Sequence, residues 1–275
     1  MNNMPSLYLI PTPIGNLDDI TIRALKTLEL VDVILCEDTR DTSKLLSKYN
    51  IKNKLVSCHE FNEEKIKNKV LNYLESGLNI GLVTDQGTPL ISDPGYKIVS
   101  YITDHGYEVV SLPGATAFVP ALTVSALVPQ PFTFYGFLNS KSSKQLKELE
   151  SLKNHPYTLI FYEAPHRLID TLNNIKNVFG DRKICIVREI SKKYEQSIRG
   201  KISEVLENDF PIKGEFVIVV EGANLEFNFN CMSILEHVEF YIKDGNSKNE
   251  AIKLVAKERN IPKSIVYKEY HENKK

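Results

Sequence analysis

Residues 84–95, TDQGTPLISDPG, combine residue types that suit a binding site for a polar small molecule. Two acids, Asp85 and Asp93, stand among hydroxyl-bearing side chains, two glycines and two prolines. Glycine lets the backbone approach a ligand closely, and hydroxyl groups orient polar ligands through hydrogen bonds. The prolines cannot continue the apolar run that precedes them. The segment therefore predicts a loop in which a buried strand ends, with residue types that suit a ligand.

Three further segments that follow or join apolar runs are also unusual, namely residues 11–19, 36–43 and 113–117. A single loop rich in proline and glycine is usually a tight turn, but four such loops at one sheet edge favour a binding site. The first, PTPIGNLDD, lacks a GxGxxG fingerprint, and Pro11 and Pro13 have no backbone N–H for a pyrophosphate. A dinucleotide such as NAD is therefore disfavoured.

The elements that position these loops alternate between strands and helices. Such alternation, with strands that are apolar on both faces, predicts a parallel sheet covered by helices, and ligands bind beyond the carboxyl ends of its strands. Apolar runs predict strands at 6–10, 31–36, 79–84 and 107–112. Helical spacing follows each of the first three, including residues 63–77, where Gly77 stops the helix.

The second half predicts another α/β domain, joined through the proline-framed segment 113–131. Its predicted strands are 132–138, 157–163, 183–189 and 215–222, with helical stretches at 143–152, 166–178 and 200–207. We therefore expect an α/β fold of two domains, residues 1–113 and 114–224, followed by a small helical extension at 225–275.

The extension predicts a helix pair similar to a helix-turn-helix. Ser247 and Glu250 form a capping-box pattern, and Pro262 suits the first position of a second helix. Residues 241–275 hold nine Lys and Arg against five Asp and Glu. This segment either contacts phosphate or presents an ordinary solvated face.

Composition excludes several classes of protein. With 34 Lys and Arg against 35 Asp and Glu among 275 residues, the chain does not coat nucleic acid over its whole surface. The four cysteines show no CxxC spacing and the six histidines no i,i+4 pairing, so we predict reduced thiols and no structural metal. No apolar run approaches the roughly 20 residues that span a bilayer, which predicts a soluble, cytoplasmic protein.

Several ordered motifs resemble those of the tetrapyrrole-methylase-like family of S-adenosylmethionine-dependent enzymes. The resemblance runs from about residue 6 to residue 222, and the tail is similar to the C-terminal extension of some members. The motifs are PTPIGNLDDIT, EDTR, TDQGTPLISDPG, PGATA, YEAPHR and REISKKYE. Within the family they look like the members that methylate the ribose 2′-hydroxyl of a cytidine in bacterial 16S ribosomal RNA.

This resemblance implies two α/β domains, S-adenosylmethionine bound in the cleft between them, and usually a homodimer. Transferred to this chain, the cofactor contacts fall on residues of both halves. They are Ile14, Gly15, Asp85, Gly87, Thr88, Pro89, Ile91, Ser92, Thr116, Ala117, Tyr162, Glu215 and Phe216. The implied partner is 16S ribosomal RNA or the small ribosomal subunit.

A ribose hydroxyl is a poor nucleophile while protonated, so a base or a cation that stabilises the alkoxide is expected. Charged residues near the predicted cleft are the candidates: Glu163, His166, Arg188, Glu189, Lys192 and Glu195. Any one of them could instead form a salt bridge or a helix cap. Our catalytic prediction is Glu189 and Lys192, with Glu163 as a third member.

For substrate contacts we predict Asp38, Arg40, His59, His166, Arg167 and Arg188. Asp38 and Arg40 would hold ribose or phosphate, or pair with each other, and His59 and Glu63 belong to a segment that could be a capped loop. Specific RNA readers prefer unpaired nucleotides, so an exposed RNA loop is the expected target.

Three other functions remain open from the sequence. A methyltransferase of a small tetrapyrrole would share the fold and cofactor, and a non-catalytic RNA-binding assembly factor could retain the fold alone. A Rossmann-type methyltransferase would place Glu37 or Asp38 on the cofactor ribose, but its glycine-rich first loop is missing.

Overall fold

The computed structural model describes residues 4–59, 61–223, 233–243 and 245–272. The chain divides into two compact units, Met1–Gly222 and Ala223–Lys275. The first contains two five-stranded sheets, and the described part of the second is helical. The α/β fold predicted from the sequence is confirmed, and the domain boundaries at 113 and 224 stay a prediction.

The first sheet is entirely parallel, as predicted, with strand order β3-β2-β4-β1-β5. Its strands are β1 (Ser6–Leu9), β2 (Val33–Cys36), β3 (Lys54–Ser57), β4 (Ile80–Leu82) and β5 (Glu108–Ser111). Its helices are α1 (Ile22–Leu30), α2 (Thr39–Lys48), α3 (Glu63–Glu75) and α4 (Tyr96–Asp104). The carboxyl ends of the five strands therefore lie at one edge of the sheet.

Alternation along β1 shows how helices cover both faces of this sheet. Leu7 and Leu9 belong to one buried cluster, which includes Ile98 and Ile102 of α4. Ile10, one residue further, belongs to the opposite cluster with α1 and α2. Successive side chains of a strand point to opposite faces, so apolar residues at every position require cover on both sides.

The second sheet is mixed, with order β6-β7-β10-β8-β9. Only β6 and β7 pair in parallel, and the other pairs are antiparallel. Its strands are β6 (Phe132–Phe137), β7 (Thr158–Glu163), β8 (Lys183–Arg188), β9 (Gln196–Lys201) and β10 (Phe216–Val220). Its helices are α5 (Phe118–Val124), α6 (Ser142–Leu152), α7 (Leu168–Phe179) and α8 (Ile202–Glu207).

Three local interpretations of the sequence differ from the structure. Residues 39–43, predicted as loop, begin α2, because the carboxylate of Asp38 accepts the amide of Arg40 and caps that helix. The predicted junction contains α5, whose Ala121 and Leu122 pack into the core. Strand β9 was not predicted from the sequence. It is an edge strand with partly exposed residues, so it lacks an apolar run.

The second unit contains α9 (Ile234–Lys243), α10 (Lys248–Glu258) and α11 (Lys263–Glu272) around a small apolar core. The predicted capping box is confirmed, since Glu250 receives the amide of Ser247 at 3.1 Å. Helix α11 begins one residue after Pro262, and α9 was not predicted. Cys231 and the last two lysines lie outside the described residues.

Within the described ranges, no helix is long and apolar enough to cross a membrane. No group of three or more His, Cys, Asp or Glu side chains in that part of the chain could hold a metal ion. Cys36, Cys58 and Cys185 are buried free thiols.

Candidate active site

A cavity of about 380 Å³ lies between the carboxyl edge of the first sheet and the second sheet. Its walls come from the loops after β1 and β4, the segment before α5, and strands β6, β7, β8 and β10. The lining residues are Ile14, Gln86, Gly87, Thr88, Ile91, Ser92, Asp93, Thr116, Ala117, Phe137, Tyr162, Glu163, Ala164, Pro165, Val187, Ile190, Glu215, Phe216 and Val217. Its volume lies in the range of about 300–1,000 Å³ that is typical of small-molecule sites.

The structure brings most of the predicted cofactor residues together in this cavity. Only Gly15, Asp85 and Pro89 of that set are absent from its lining. Asp85 instead accepts the backbone amide of Asp38 at 3.1 Å and so joins the loops after β2 and β4. The sequence reasoning missed Val187 and Val217, whose apolar type does not separate a cavity wall from a core strand.

The loop after β4 contains several residues with positive φ and is fixed by hydrogen bonds to neighbouring segments. Gly87 has φ +84° and forms two backbone hydrogen bonds with Thr12, of 2.9 and 3.1 Å. Leu90 and Ser92 also have positive φ, which is uncommon for residues with a side chain and is often found at binding sites. The Thr88 hydroxyl donates to the carbonyl of Ala115 at 2.9 Å, which ties this loop to the segment before α5.

Buried Glu63 fixes the far end of the same loop. One of its carboxylate oxygens accepts three backbone amides, from Gly95 at 3.1 Å, Lys97 at 2.7 Å and Ile98 at 3.3 Å. These amides begin α4, where a negative charge is favoured. The loop at His59 and Glu63 was predicted to be capped. In the structure the amide of His59 donates to the side chain of Asn62, and the side chain of Glu63 caps α4.

The hydroxyl of Thr116 is a buried polar atom of the cavity wall. It is buried and forms no hydrogen bond to any described residue. Buried polar groups nearly always have a partner, and an orphaned one indicates a missing ligand or solvent molecule. The cavity therefore offers a hydrogen-bonding position that a ligand would complete.

Lys192 lies beside the cavity, between two carboxylates. Its ammonium is 3.0 Å from Glu189 and 2.9 Å from Glu215, which lines the cavity. Its carbon chain covers Gly15, where an added Cβ would lie only 2.4 Å from Cγ of Lys192. Glycine at this position thus allows the lysine of the second half to cross the first loop.

The pKa values in this cluster favour charged forms. Burial raises the pKa of Glu189, but the amide of Glu215 and the ammonium of Lys192 outweigh it and hold the pKa below its usual value. Burial lowers the pKa of Lys192, but its bonds to Glu215 and Glu189 outweigh it and raise the pKa. Lys192 is therefore suited to act as a cation, and Glu189 is a weak base.

Glu163 and Arg167 form a buried ion pair beside the cavity. The Glu163 side chain is 0% exposed, and one oxygen accepts from Nε of Arg167 and from the amide of Ala164, both at 2.8 Å. The other oxygen accepts the Thr171 hydroxyl at 2.6 Å. Arg167 also donates to the carbonyl of Leu138 at 3.1 Å. These contacts give both side chains a structural role, and the catalytic role of Glu163 and the substrate-binding role of Arg167 stay predictions.

Three acids gather where the carboxyl edge of the first sheet meets the cavity. Burial, and to a smaller extent the charges of Glu37 and Asp85, raise the pKa of Asp93 to about 7. Burial also raises the pKa of Glu37 and of Asp85. Such perturbed carboxyls concentrate at functional sites.

The remaining predicted substrate residues lie apart from the cavity lining. Asp38 and Arg40 pair with each other at 2.5 Å, and their hydrogen bond holds the pKa of Asp38 well below its usual range. Arg188 donates to the carbonyl of Lys213 at 2.6 Å. His59 has a buried Nδ1 with no hydrogen bond to any described residue.

His166 lies in a short 3-10 helix at Pro165–Arg167, next to the lining residue Pro165. Glu195 accepts the amide of Ser191 at 2.6 Å and lines a second cavity of about 580 Å³. That cavity adjoins the first and shares Ile14, Thr116, Val187 and Ile190 with it.

The chain matches a family model over most of its first unit. Residues 6–206 match the model described as "Tetrapyrrole (Corrin/Porphyrin) Methylases". The chain belongs to this family. The motifs that resembled the tetrapyrrole methylases thus identified the family correctly, and membership makes methyl transfer the chemistry of the chain.

Two relatives of this tetrapyrrole methylase match nearly its whole length. "Ribosomal RNA small subunit methyltransferase I" of Bacillus subtilis is 52% identical, over 98% of this chain and 95% of the relative. The protein of the same name from Halalkalibacterium halodurans is 43% identical, over 97% of this chain and 95% of the relative.

Solved structures of tetrapyrrole methylases share the fold. Cobalt precorrin-4 methyltransferase superposes with a TM-score of 0.59 at 18% identity, covering 78% of this chain and 94% of that one. Uroporphyrin-III C-methyltransferase from Thermus thermophilus, complexed with S-adenosylhomocysteine, gives a TM-score of 0.56 at 18% identity, covering 78% and 97%.

Proposed function

We propose that the chain transfers a methyl group from S-adenosylmethionine to the ribose 2′-hydroxyl of a cytidine in 16S ribosomal RNA. The observation that carries this proposal is the extent of the match to the relatives named ribosomal RNA small subunit methyltransferases. They match 97–98% of the chain, whereas the tetrapyrrole methylase model ends at residue 206. The relatives therefore share the C-terminal unit, in which residues 241–275 hold more Lys and Arg than Asp and Glu and which a small-molecule enzyme does not need.

The size of the cavity and the residues of its wall suit S-adenosylmethionine. It has room for a small molecule, an orphaned hydroxyl on Thr116 for a polar group, and bare backbone at Gly87. Ile14, Ile91, Ser92, Ala117 and Phe216 would complete the contacts. When bound, the cofactor supplies a methyl group on a positively charged sulfur.

The side chains of the protein have to orient the ribose and stabilise the negative charge that develops on its oxygen. Positioning the two reactants supplies much of the acceleration of such displacements. The Lys192 ammonium, held by Glu189 and the lining residue Glu215, would stabilise the developing alkoxide or a neighbouring phosphate. The C-terminal unit would add phosphate contacts, which position an RNA without selecting its sequence.

We further propose that the enzyme acts in the cytoplasm, where small subunits are found, and as a homodimer. Support for a second copy comes from the edge strand β6, which carries the exposed aromatic side chains of Phe132, Tyr135 and Phe137. An exposed edge with large apolar groups is a surface that proteins usually cover.

The proposed function predicts the loss of one 2′-O-methylated cytidine from 16S ribosomal RNA in cells that lack the gene. Ribose methylation would be mapped in wild-type cells, deletion cells, and deletion cells that express the protein again. Restoration of the same modification by the protein supports the proposal. An unchanged RNA map together with a changed tetrapyrrole pool would instead support the small-molecule alternative.

Lys192→Ala should slow methyl transfer by about 100-fold, the usual cost of losing one group that stabilises a developing anion. Affinity for S-adenosylhomocysteine should stay unchanged, because Lys192 lies outside the cavity lining. Single-turnover rates on small subunits and calorimetric titration measure the two quantities. The exposed neighbour Lys193, changed to alanine, is the control. Equal rates for the two variants would exclude a catalytic Lys192.

A further inference from the structure

We infer that the rings of Phe61 and Tyr96 form an aromatic platform on which unpaired bases of the RNA stack, an inference that rests on the proposed function. Phe61 lies in the loop between β3 and α3, and Tyr96 is the first residue of α4. Neither residue lines either of the two cavities described above, and neither was predicted from the sequence to bind substrate. The platform would hold nucleotides next to the one that is methylated.

Both side chains of the platform are exposed to an unusual degree. Phe61 is 90% exposed and Tyr96 is 72% exposed, more than any other Phe or Tyr among the described residues. Large apolar side chains gain free energy when they leave water. Two such rings on neighbouring segments therefore indicate a surface that binds a partner.

Hydrogen bonds fix the backbone that carries the two rings. The amide of Glu63 donates to the carbonyl of His59 at 3.1 Å, which closes a turn around Phe61. The buried carboxylate of Glu63 accepts the amides directly before and after Tyr96, at 3.1 and 2.7 Å. One acid therefore joins the two segments, and a surface that is ordered in advance loses little conformational freedom when it binds.

The platform adjoins the first cavity through the loop after β4. Ser92 and Asp93 of that loop line the cavity. Tyr96 is three residues beyond Asp93, so their Cα atoms lie within about 11 Å of each other. An RNA strand whose target ribose reaches the cavity would therefore bring neighbouring nucleotides to the platform. Proteins that recognise unpaired RNA commonly stack its bases on aromatic side chains.

The charges around the rings favour RNA over a protein partner. Lys65 and Lys97 are exposed and form no ion pair with any described residue. The exposed acid Glu64 is already paired with Lys67. Cations that attract phosphates, together with aromatic rings that stack on bases, are typical of sites for single-stranded nucleic acid. The centre of a protein interface is instead depleted in charged residues.

A second observation in the same loop points to a ligand. The ring of His59 lies 6.2 Å from the ring of Phe61, measured between centroids. Its Nδ1 is buried and forms no hydrogen bond to any described residue. Such an orphaned atom indicates a missing ligand or solvent molecule. A base that stacks beside Phe61 would offer the donors and acceptors of its edge to this nitrogen.

Phe61→Ala and Tyr96→Ala should each weaken the binding of small ribosomal subunits from cells that lack the gene by about 10-fold, and the double variant by about 100-fold. Filter binding measures these affinities. Affinity for S-adenosylhomocysteine should stay unchanged, which also shows that the variants are folded. Leu30→Ala is the control, because Leu30 is 62% exposed but ends α1 at the opposite edge of the sheet. Wild-type affinity of the double variant would overturn the inference.

A change of side-chain type separates stacking from simple apolar contact. Phe61→Tyr should retain affinity because the ring remains, whereas Phe61→Leu should lose it as alanine does. Full affinity of Phe61→Leu would refute stacking. The salt dependence of binding should stay unchanged in both aromatic variants, because stacking releases no counterions, and should become weaker in Lys97→Ala.

Sedimentation velocity tests whether a second copy of the chain covers the platform. The double variant should sediment as the wild-type protein does. If it dissociates, the rings bind another protomer and the inference is overturned. Failure of the proposed function gives a different result, since the wild-type protein itself would then not methylate small subunits. Failure of the platform alone would leave wild-type methylation intact, and the double variant would methylate equally fast at subunit concentrations below KM.

Discussion

Gly87→Val should weaken the binding of S-adenosylhomocysteine by about 100-fold. Gly87 has φ +84°, a conformation that costs a residue with a side chain about 1–3 kcal/mol. Its Cβ would lie 3.3 Å from Ile14 and 3.6 Å from the carbonyl of Ala115, so the valine methyl groups would displace the wall. About 1.4 kcal/mol corresponds to tenfold in affinity, which sets the expected size. Calorimetric titration measures it.

The control for this prediction is Gly77→Val. Gly77 has nearly the same backbone conformation, φ +85°, but nothing within 4 Å of its added Cβ, and it follows α3 away from the cavity. The backbone strain is therefore matched while the cavity is untouched. Both variants should lose stability, and only Gly87→Val should lose affinity. Equal affinities would contradict the assignment of the cavity as the cofactor site.

Arg167→Ala should lower the free energy of unfolding by about 3 kcal/mol, the lower end of the range for breaking a buried ion pair. The Glu163 carboxylate would remain fully buried without its cation, with only the amide of Ala164 and the hydroxyl of Thr171 as donors. Urea unfolding followed by circular dichroism measures the change.

A second substitution tests the cause of this loss. In the Arg167→Ala background, Glu163→Gln should recover part of the stability, because it removes the uncompensated charge. The surface control is Lys44→Ala, which breaks the ion pair between Lys44 and Asp41. The side chain of Lys44 is 78% exposed. Exposed pairs contribute little, so no comparable loss is expected there. Equal losses in Arg167→Ala and Lys44→Ala would refute a structural ion pair.

Glu189 and Asp93 show how the surroundings of two carboxyl groups change their pKa values in opposite directions. Glu189 has a lysine and a backbone amide as partners, and its pKa is lowered despite burial. Asp93 is half-buried beside other acids, and its pKa is raised to about 7. A cation stabilises the ionised form, whereas like charges and burial destabilise it. The catalytic roles of Glu189 and Lys192 stay predictions, and their charged forms suit Lys192 as a group that stabilises negative charge.

Exposed lysines of the C-terminal unit are consistent with the proposed RNA substrate. Its three helices carry exposed lysines, including Lys248 of α10 and Lys263 of α11. Cations that neutralise phosphates release bound counterions, so RNA binding should depend on salt more strongly than binding of S-adenosylhomocysteine.

Local sequence determined the positions of most strands, the parallel first sheet and the loops that line the cavity. Strands such as β2 and β10 are apolar at successive positions because both faces are covered, and that pattern is visible in sequence. The turn-forming residues of 84–95 likewise identify the loop after β4, because proline and glycine restrict or permit backbone angles locally.

Only the tertiary structure decided which charged groups meet. Sequence spacing did not show that Arg167 turns inward to Glu163, or that Lys192 crosses Gly15 from the other half of the unit. It also did not reveal that Glu37 and Asp85 lie beside Asp93 and raise its pKa. Strand order and pairing bring these residues together, and charge interactions depend on distance through space and on burial, which sequence order does not record.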